Sequence, residues 1–300
     1  MTTRILCLSV LLICQSAIQA DEKTAMPSTV ADGARLVAEY VSPKVFFEGP
    51  TWDPKGKKLY VTAFGKTTDI LRLEGDNKAT VWLEKTEGVN GTYLSRDGRL
   101  LGAQAFGHRV MSYAFGNKGP SDTRVLLFDK KRNQPNDLCQ APNGDIYFTD
   151  PDFDKRKTSA VYRLTPDGKA TKVITDMPVP NGIKTSRDGK TLYVSDSFRM
   201  LWRSYPIKDD GTVGAGKDFF NPQKAPMKEP DGLCLDEKDN LDFSGRGGVW
   251  VVQPDGKELG LIAIPEFCSN VTFGGDDGKT LYMTCQDKVY SLRMKVRGER

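Results

Sequence analysis

The chain has 300 residues, with 43 Lys and Arg against 39 Asp and Glu. This near-neutral balance, without a basic block interleaved with aromatic residues, excludes a nucleic-acid-binding protein. The 29 glycines and 17 prolines fall mostly at turns, and long amphipathic helical periodicity is absent, so we expect one closed all-β domain.

The first segment, residues 1–20, is typical of a secretory signal peptide. Arg4 precedes an apolar run from Ile5 to Ile13, and small residues lead up to Ala20. The run is shorter than the roughly 20 residues that a membrane span requires. We therefore expect export to the periplasm or the medium, with no membrane span after the signal is removed.

Two further segments follow the signal peptide. Residues 21–33 are polar and lack periodicity, which predicts a disordered tether. Residues 34–300 are predicted to form the folded domain. Its oligomeric state is left open by the sequence.

One hairpin unit recurs along residues 34–300. Its clearest copy opens at Asn181, continues through a Ser-Arg-Asp-Gly turn, and ends in the alternating strand before Asp196. The period is roughly 40 to 50 residues, as in four-stranded propeller blades. The copies open at six residues: Glu48, Asn90, Asn136, Asn181, Asp231 and Asn270.

These repeats predict a six-bladed β-propeller with four-stranded blades. The last repeat lacks one strand before the chain ends, whereas the segment from Arg35 to Val41 alternates in character and belongs to no blade. We expect this N-terminal strand to complete the last blade, which would leave no open sheet edge.

The opening residues should converge near one mouth of the central channel. Two carboxylates and four carboxamides there would form an all-oxygen site that suits Ca²⁺, with Mg²⁺, Mn²⁺ and Zn²⁺ as alternatives. The other interpretation is that these residues only form turns, since Asn-Gly and Asp-Gly are common turn dipeptides.

The chain from about Phe47 to Met294 resembles the gluconolactonase and regucalcin (senescence marker protein), LRE-like family. The resemblance rests on EGPTWDP at Glu48, PNDL at Asn136, PNGI at Asn181, PDGL at Asp231 and the closing NVTFGG segment. It implies a divalent metal held by Glu48, Asn136, Asn181 and Asp231. Two departures are Gln134, where relatives often have Arg, and Asp242, where they commonly have an aromatic residue.

The implied function is hydrolysis of a sugar lactone or a related small lactone ester. Asp231 is the first choice for the catalytic base, and Asp150, Asp196 and His108 are the alternatives. The predicted substrate-binding residues are Gln134, Asn136, Asp150, Asp196, His108 and Arg109. The alternative function is a non-catalytic, metal-stabilised propeller that serves as a binding module.

Four cysteines follow the signal peptide. Cys139 and Cys234 occupy the same place in two repeats and are expected to be buried thiols. Cys268 and Cys285 flank one hairpin, so either a disulfide or two free thiols is compatible with the sequence.

Overall fold

The computed structural model describes residues 25–222 and 229–299, and the regular elements in these ranges are all β-strands. No helix long and apolar enough to cross a membrane occurs in these ranges. Residues 1–24, which include the expected signal peptide, lie outside the described part.

Four of the sheets have four antiparallel strands each, in chain order from the axis outwards. The first contains β2 (Phe46–Asp53), β3 (Lys58–Phe64), β4 (Thr68–Gly75) and β5 (Lys78–Leu83). The second contains β6 (Val89–Leu94), β7 (Leu100–Gln104), β8 (Arg109–Ala114) and β9 (Asp122–Phe128). The third contains β10 (Leu138–Gln140), β11 (Ile146–Asp150), β12 (Ala160–Leu164) and β13 (Ala170–Ile174). The fourth contains β14 (Pro180–Thr185), β15 (Thr191–Asp196), β16 (Leu201–Pro206) and β17 (Lys217–Phe220).

The fifth sheet has six strands and includes both ends of the described chain. Its order is β1-β22-β21-β20-β19-β18. Its strands are β1 (Val37–Val41), β18 (Leu233–Leu235), β19 (Leu241–Val252), β20 (Glu258–Gly274), β21 (Thr280–Cys285) and β22 (Lys288–Arg293).

The prediction of six separate four-stranded blades is therefore wrong, because the described residues form a propeller of five sheets. The difference lies in β20, which has 17 residues. Its first half pairs with β19 and its second half pairs with β21, from Cys268 onwards. An unbroken strand thus joins the fifth and sixth sequence repeats into one sheet.

The turn inside the hairpin repeat shows why these sequences fold as they do. Between β14 and β15, the Ser186 hydroxyl donates to Asp188 Oδ1 at 2.6 Å and accepts from Thr191 N at 2.9 Å. Gly189 takes a φ of 70°, which glycine adopts without steric cost. The Ser-x-Asp-Gly pattern therefore specifies the turn locally.

The apolar side chains pack between neighbouring sheets. Tyr60 and Ile70 of the first sheet meet Leu100 and Met111 of the second, for example, and similar clusters fill the other spaces. A further cluster lies between the two halves of the six-stranded sheet. The core is thus a ring of interfaces, which leaves the axis free for polar side chains.

The predicted role of the N-terminal strand is confirmed. The strand β1 pairs antiparallel with β22, with Val37 opposite Ser291 and Val41 opposite Lys288. The strand covers the outer edge of the last hairpin, which would otherwise expose unpaired backbone groups.

The expected tether at residues 21–33 differs from the structure over residues 25–33. Val30 is 6% exposed, forms a bridge with Met294 and belongs to the core cluster of the six-stranded sheet. Lys295 N donates to Thr29 O at 2.7 Å, and Ala31 N donates to Arg293 O at 3.0 Å. The buried Val30 and these backbone hydrogen bonds together hold the segment against the C-terminal part of the chain.

The four cysteines of the described chain are free thiols. Cys139 is buried and Cys234 is partly buried. Cys268 lies opposite Cys285 in the β20–β21 register, and both are fully buried. Free thiols are thus the alternative that the structure contains.

Asp242 is an acidic side chain in the core of the fifth sheet. It is 1% exposed, and neither of its carboxylate oxygens has a hydrogen-bond partner among the described residues. Burial, together with the charge of Asp236, raises the pKa of Asp242 well above its ordinary value. Asp242, which the sequence comparison marked as a departure, thus buries a carboxyl group at a cost to the stability of the fold.

The packing of residues 25–33 predicts that shortening Val30 and shortening Met26 have different effects on the free energy of unfolding. Val30→Ala should lower the free energy of unfolding by about 1 to 2 kcal/mol, because it removes two buried carbon groups. Met26→Ala should have almost no effect, since Met26 is 55% exposed. Urea denaturation measures both, and equal midpoints for the two variants would contradict the packing of residues 25–33.

The buried Asp242 predicts a pH-dependent stability. Because its pKa is raised by folding, the folded state keeps a proton that the unfolded state releases, and stability should fall as pH rises from about 4 towards 8. Asp242→Asn should reduce this slope and be more stable than wild type at pH 8 by roughly 1 kcal/mol or more. The part of the slope that remains belongs to other carboxyl groups whose pKa is raised by folding, such as Glu48 and Asp137. Glu258→Gln, at an exposed site in the same sheet, is the control. Parallel stability curves for wild type and Asp242→Asn would refute the interpretation.

Candidate metal centre and substrate mouth

The first strands of the sequence repeats touch one another around the axis. Thr92 Oγ1 donates to Gly49 O at 2.5 Å, and Gly91 N donates to Asn136 O at 2.7 Å. The ring closes where Ser269 Oγ donates to Phe47 O at 2.7 Å. These contacts gather the opening residues of the repeats around one channel.

Such close contacts require small residues after the opening positions. At Gly182, an added Cβ would lie 2.7 Å from the Cα of Gly232, which is backbone and cannot move aside. The Asn-Gly and Asp-Gly dipeptides therefore serve inter-strand packing as well as turn formation.

The four predicted metal ligands are all buried, with 5% to 9% of each residue exposed. Glu48 Oε2 accepts hydrogen bonds from Gly49 N at 2.8 Å and from Asn270 Nδ2 at 3.2 Å. Asn181 Nδ2 donates to Ser197 Oγ at 3.2 Å, which leaves its amide oxygen uncommitted. The side chains of Asn136 and Asp231 form no hydrogen bond with another described residue. Their assignment as ligands stays a prediction.

The carboxyl groups of the site repel one another. Burial, and then the charge of Asp137, raises the pKa of Glu48 to about 8. Burial, followed by the charges of Glu48 and Asp137, raises the pKa of Asp231 well above its ordinary value. Within the described residues, no Lys or Arg forms an ion pair with Glu48 or Asp231. The cluster therefore favours a bound cation or bound protons.

Asp137 is a residue of this site that the sequence reasoning missed. It is 7% exposed, its Oδ2 accepts from Asn270 Nδ2 at 3.3 Å, and burial raises its pKa to about 7. The signal was present in the sequence, because Asp137 stands where Gly49, Gly91 and Gly182 follow the opening residues of other repeats.

The chemistry of this donor set fits a divalent cation. The described residues contain no group of three His, Cys, Asp or Glu side chains placed to hold a metal. Two buried carboxylates and two amide oxygens nevertheless match the preference of hard cations for oxygen ligands. The negative charge of Glu48 and Asp231, which has no basic partner among the described residues, is the structural observation that supports binding of a divalent cation.

A second charged group lies towards the other mouth. Lys184 is 6% exposed, pairs with Glu299, and donates to Tyr93 Oη at 3.1 Å. A cavity of about 300 Å³ opens there and is lined by Asp137 and Asn270 but by none of the four predicted ligands. The Lys184 charge lowers the pKa of Asp137 against the effect of burial.

Asp150, predicted as a base or substrate contact, holds the loop before β10. Its Oδ1 accepts from Gln134 N at 2.8 Å, and its Oδ2 accepts from Asn133 N at 3.0 Å. It is 1% exposed, and burial raises its pKa to about 6. Gln134 is therefore positioned through its backbone, and its side chain forms no hydrogen bond with another described residue.

Asp196 has a similar role after β15. Its Oδ1 accepts from Phe198 N and Arg199 N, both at 3.1 Å, and burial raises its pKa. Its Oδ2 is buried without a hydrogen-bond partner among the described residues. The carboxyl group mainly shapes the loop that follows it.

His108 and Arg109 lie at the same mouth with different surroundings. His108 Nδ1 is buried and has no hydrogen-bond partner in the described chain, and its positive charge would lower the pKa of Asp150. Arg109 Nη1 donates to Gln104 Oε1 at 3.0 Å and to Glu87 Oε2 at 3.2 Å. Arg109 is thus occupied by internal contacts.

Comparison with known proteins is consistent with this arrangement. The chain is 30% identical over 287 residues to a gluconolactonase of Zymomonas mobilis subsp. mobilis, covering 84% of this chain and 79% of that protein. It is 29% identical over 241 residues to pentonolactonase XacC of Haloferax volcanii, covering 79% and 80% respectively. A solved gluconolactonase from Xanthomonas campestris has a TM-score of 0.78 at 26% identity, covering 91% of this chain and 95% of that one.

The family comparison covers most of the domain. The model described as the SMP-30/Gluconolactonase/LRE-like region matches residues 46–287, from the start of β2 to the turn before β22. The protein belongs to the SMP-30/gluconolactonase/LRE-like family.

Proposed function

We propose that the protein is an exported, divalent-metal-dependent hydrolase of a sugar lactone or a related small lactone ester. The observation that carries the proposal is the convergence of Glu48 and Asp231 in a buried, uncompensated acidic cluster at the axis. Relatives named gluconolactonase and pentonolactonase support lactones as the substrate class.

The residues that would hold the cation are Glu48, Asn136, Asn181 and Asp231. Ca²⁺ is the first choice, because all the donors are oxygen atoms, and Mg²⁺, Mn²⁺ and Zn²⁺ are the alternatives. A cation bound there would supply Lewis-acid activation of the ester carbonyl.

The remaining chemistry belongs to the side chains of this chain. Asp231 would accept the proton of the attacking water and return it to the leaving alkoxide. Its carboxylate is suited to this role because it forms no hydrogen bond with another described residue. Asp150 and Asp196 are weaker candidates for the base, since each is committed to backbone amides.

His108 remains the alternative base outside the ligand set. It lies at the same mouth, and its buried Nδ1 has no partner among the residues described.

Export is proposed from the first 20 residues, on the evidence of Arg4 and the apolar run that follows. The expected destination is the periplasm or the medium. N-terminal sequencing of the protein recovered from these fractions should give Asp21 as the first residue. Recovery of an intact Met1 in the cytoplasmic fraction alone would contradict export.

Metal titration of two variants tests the assigned roles. Asp231→Asn and Glu48→Gln each remove one charge from the site, so both should require more metal for half-maximal occupancy. At saturating metal, Glu48→Gln should recover turnover close to wild type. Asp231→Asn should remain about 100-fold slower in kcat, because the proton acceptor is lost.

Several results would change the assignment. Full recovery of both variants by metal would make Asp231 a ligand only, and His108→Ala would then be the next variant. Metal that raises the melting temperature of wild type without turnover of any aldonolactone or simple lactone would favour the alternative of a non-catalytic binding module. Chelated wild type that turns over lactones at the full rate would contradict metal dependence.

A further inference from the structure

The exposed aromatic side chains of the described chain have an unusual distribution. Phe106, Phe153 and Phe198 are 53%, 40% and 50% exposed. They lie in the loops that follow β7, β11 and β15, which are the second strands of three consecutive sheets. Second strands run back towards the mouth where the opening residues of the repeats lie, so all three rings are at the rim of the metal-site candidates.

The three residues hold equivalent positions, two or three residues after the end of the second strand. In the first and sixth repeats the equivalent loop positions hold Lys66 and Asp287, and in the fifth repeat the strand β19 continues through this position. The second to fourth sheets therefore carry exposed phenylalanine rings at the mouth, among charged loop residues such as Arg156 and Arg199. Isolated exposed apolar residues are ordinary, but three at one repeat position around one mouth are not.

Phe198 lies directly beside the predicted ligands. The preceding residue, Ser197, accepts from Asn181 Nδ2 at 3.2 Å and donates to the carbonyl of Pro230, which precedes Asp231, at 2.6 Å. The Phe198 backbone is held by Asp196, and the guanidinium of Arg156 lies 4.3 Å from the ring centroid. The ring is thus held in place while half of its surface faces solvent.

Phe106 occupies the corresponding place on the second sheet. Its ring packs against Gly88, where an added Cβ would lie 2.6 Å from Phe106 Cδ2. Gly88 stands two residues before Asn90, another opening residue of the channel. Both rings therefore lie between bulk solvent and the channel entrance.

We propose that the substrate is a lactone with an apolar substituent, an alkyl chain or an aryl group, which covers Phe106, Phe153 and Phe198 while the lactone ring enters the channel. A phenyl ring offers no hydrogen-bond partner to sugar hydroxyls, whereas covering it with an apolar group removes unfavourable surface from water. The inference rests on the proposed lactone hydrolysis and narrows its substrate class.

Chain-length dependence of turnover tests the inference. Among γ-lactones that carry side chains from methyl to octyl, kcat/KM of wild type should rise about two- to fourfold for each methylene until the rings are covered. Phe198→Ala and Phe106→Ala should lower the octyl-to-methyl ratio of kcat/KM by about tenfold or more, mainly through KM.

Val125→Ala is the control. Val125 is also exposed, at 55%, but it lies within β9, the outermost strand of its sheet, opposite Met111 and away from the mouth. This variant should keep the wild-type ratio. Wild-type turnover that does not depend on chain length, or that favours polyhydroxylated lactones, would overturn the inference while leaving the proposed function intact.

A binding measurement tests the apolar subsite separately from the proposed lactone hydrolysis. An octyl-substituted γ-lactam, which resists hydrolysis, should bind wild type more tightly than Phe198→Ala by about tenfold, measured by calorimetry. Binding that depends on Phe198 without turnover of any lactone would support the apolar subsite and reject hydrolysis. Equal binding by both proteins would reject the subsite.

Discussion

The burial of three carboxyl groups at one point of the axis is the constraint on which the rest of this structure depends. Glu48, Asp137 and Asp231 come from different sheets, and each is kept from solvent by the contacts between neighbouring first strands. Burial raises the pKa values of all three, and charge repulsion raises those of Glu48 and Asp231 further, which is a cost that folding alone does not relieve. A site of this kind is maintained only if the ring of sheets is closed and if a cation or protons neutralise it. The buried carboxyl groups therefore depend both on the closed ring of sheets and on a neutralising cation or protons.

Closure depends on the two ends of the chain, which meet on the six-stranded sheet. The strand β1 covers β22, and Val30 packs beside Met294 in the same core cluster. On the other side of the channel, Glu299 pairs with the buried Lys184. Both termini thus stabilise the part of the ring where two sequence repeats share one sheet. This ion pair makes Glu299 part of the folded domain, and removing either partner would leave an uncompensated charge.

The acidic residues at the ends of the second strands build the mouth of the channel. Asp150 accepts from the amides of residues 133 and 134, and Asp196 accepts from those of residues 198 and 199. Asp152 holds its own loop by accepting from Lys155 N at 3.0 Å. Asp152 and Asp196 therefore help to position the loops that present Phe153 and Phe198, whereas Asp150 holds the loop before β10.

The sequence by itself determined the features that depend on local chemistry. Ser-x-Asp-Gly turns and alternating strands specified the hairpins, and their period identified a propeller in which the opening residues, Glu48 to Asn270, share one mouth. The edge strand β1 was also predictable, because one repeat lacked a strand. Only the tertiary structure decided how the repeats combine: β20 continues from one hairpin into the next, so five sheets form where six blades were expected. It also decided that Asp137 belongs to the acidic cluster and that residues 25–33 pack on the core. The shared strand β20 and the packing of residues 25–33 rest on contacts between segments distant in the chain, and such contacts leave no periodic pattern in the residues that make them. Asp137 differs, because its position in the repeat marked it in the sequence, and only its burial in the cluster required the structure.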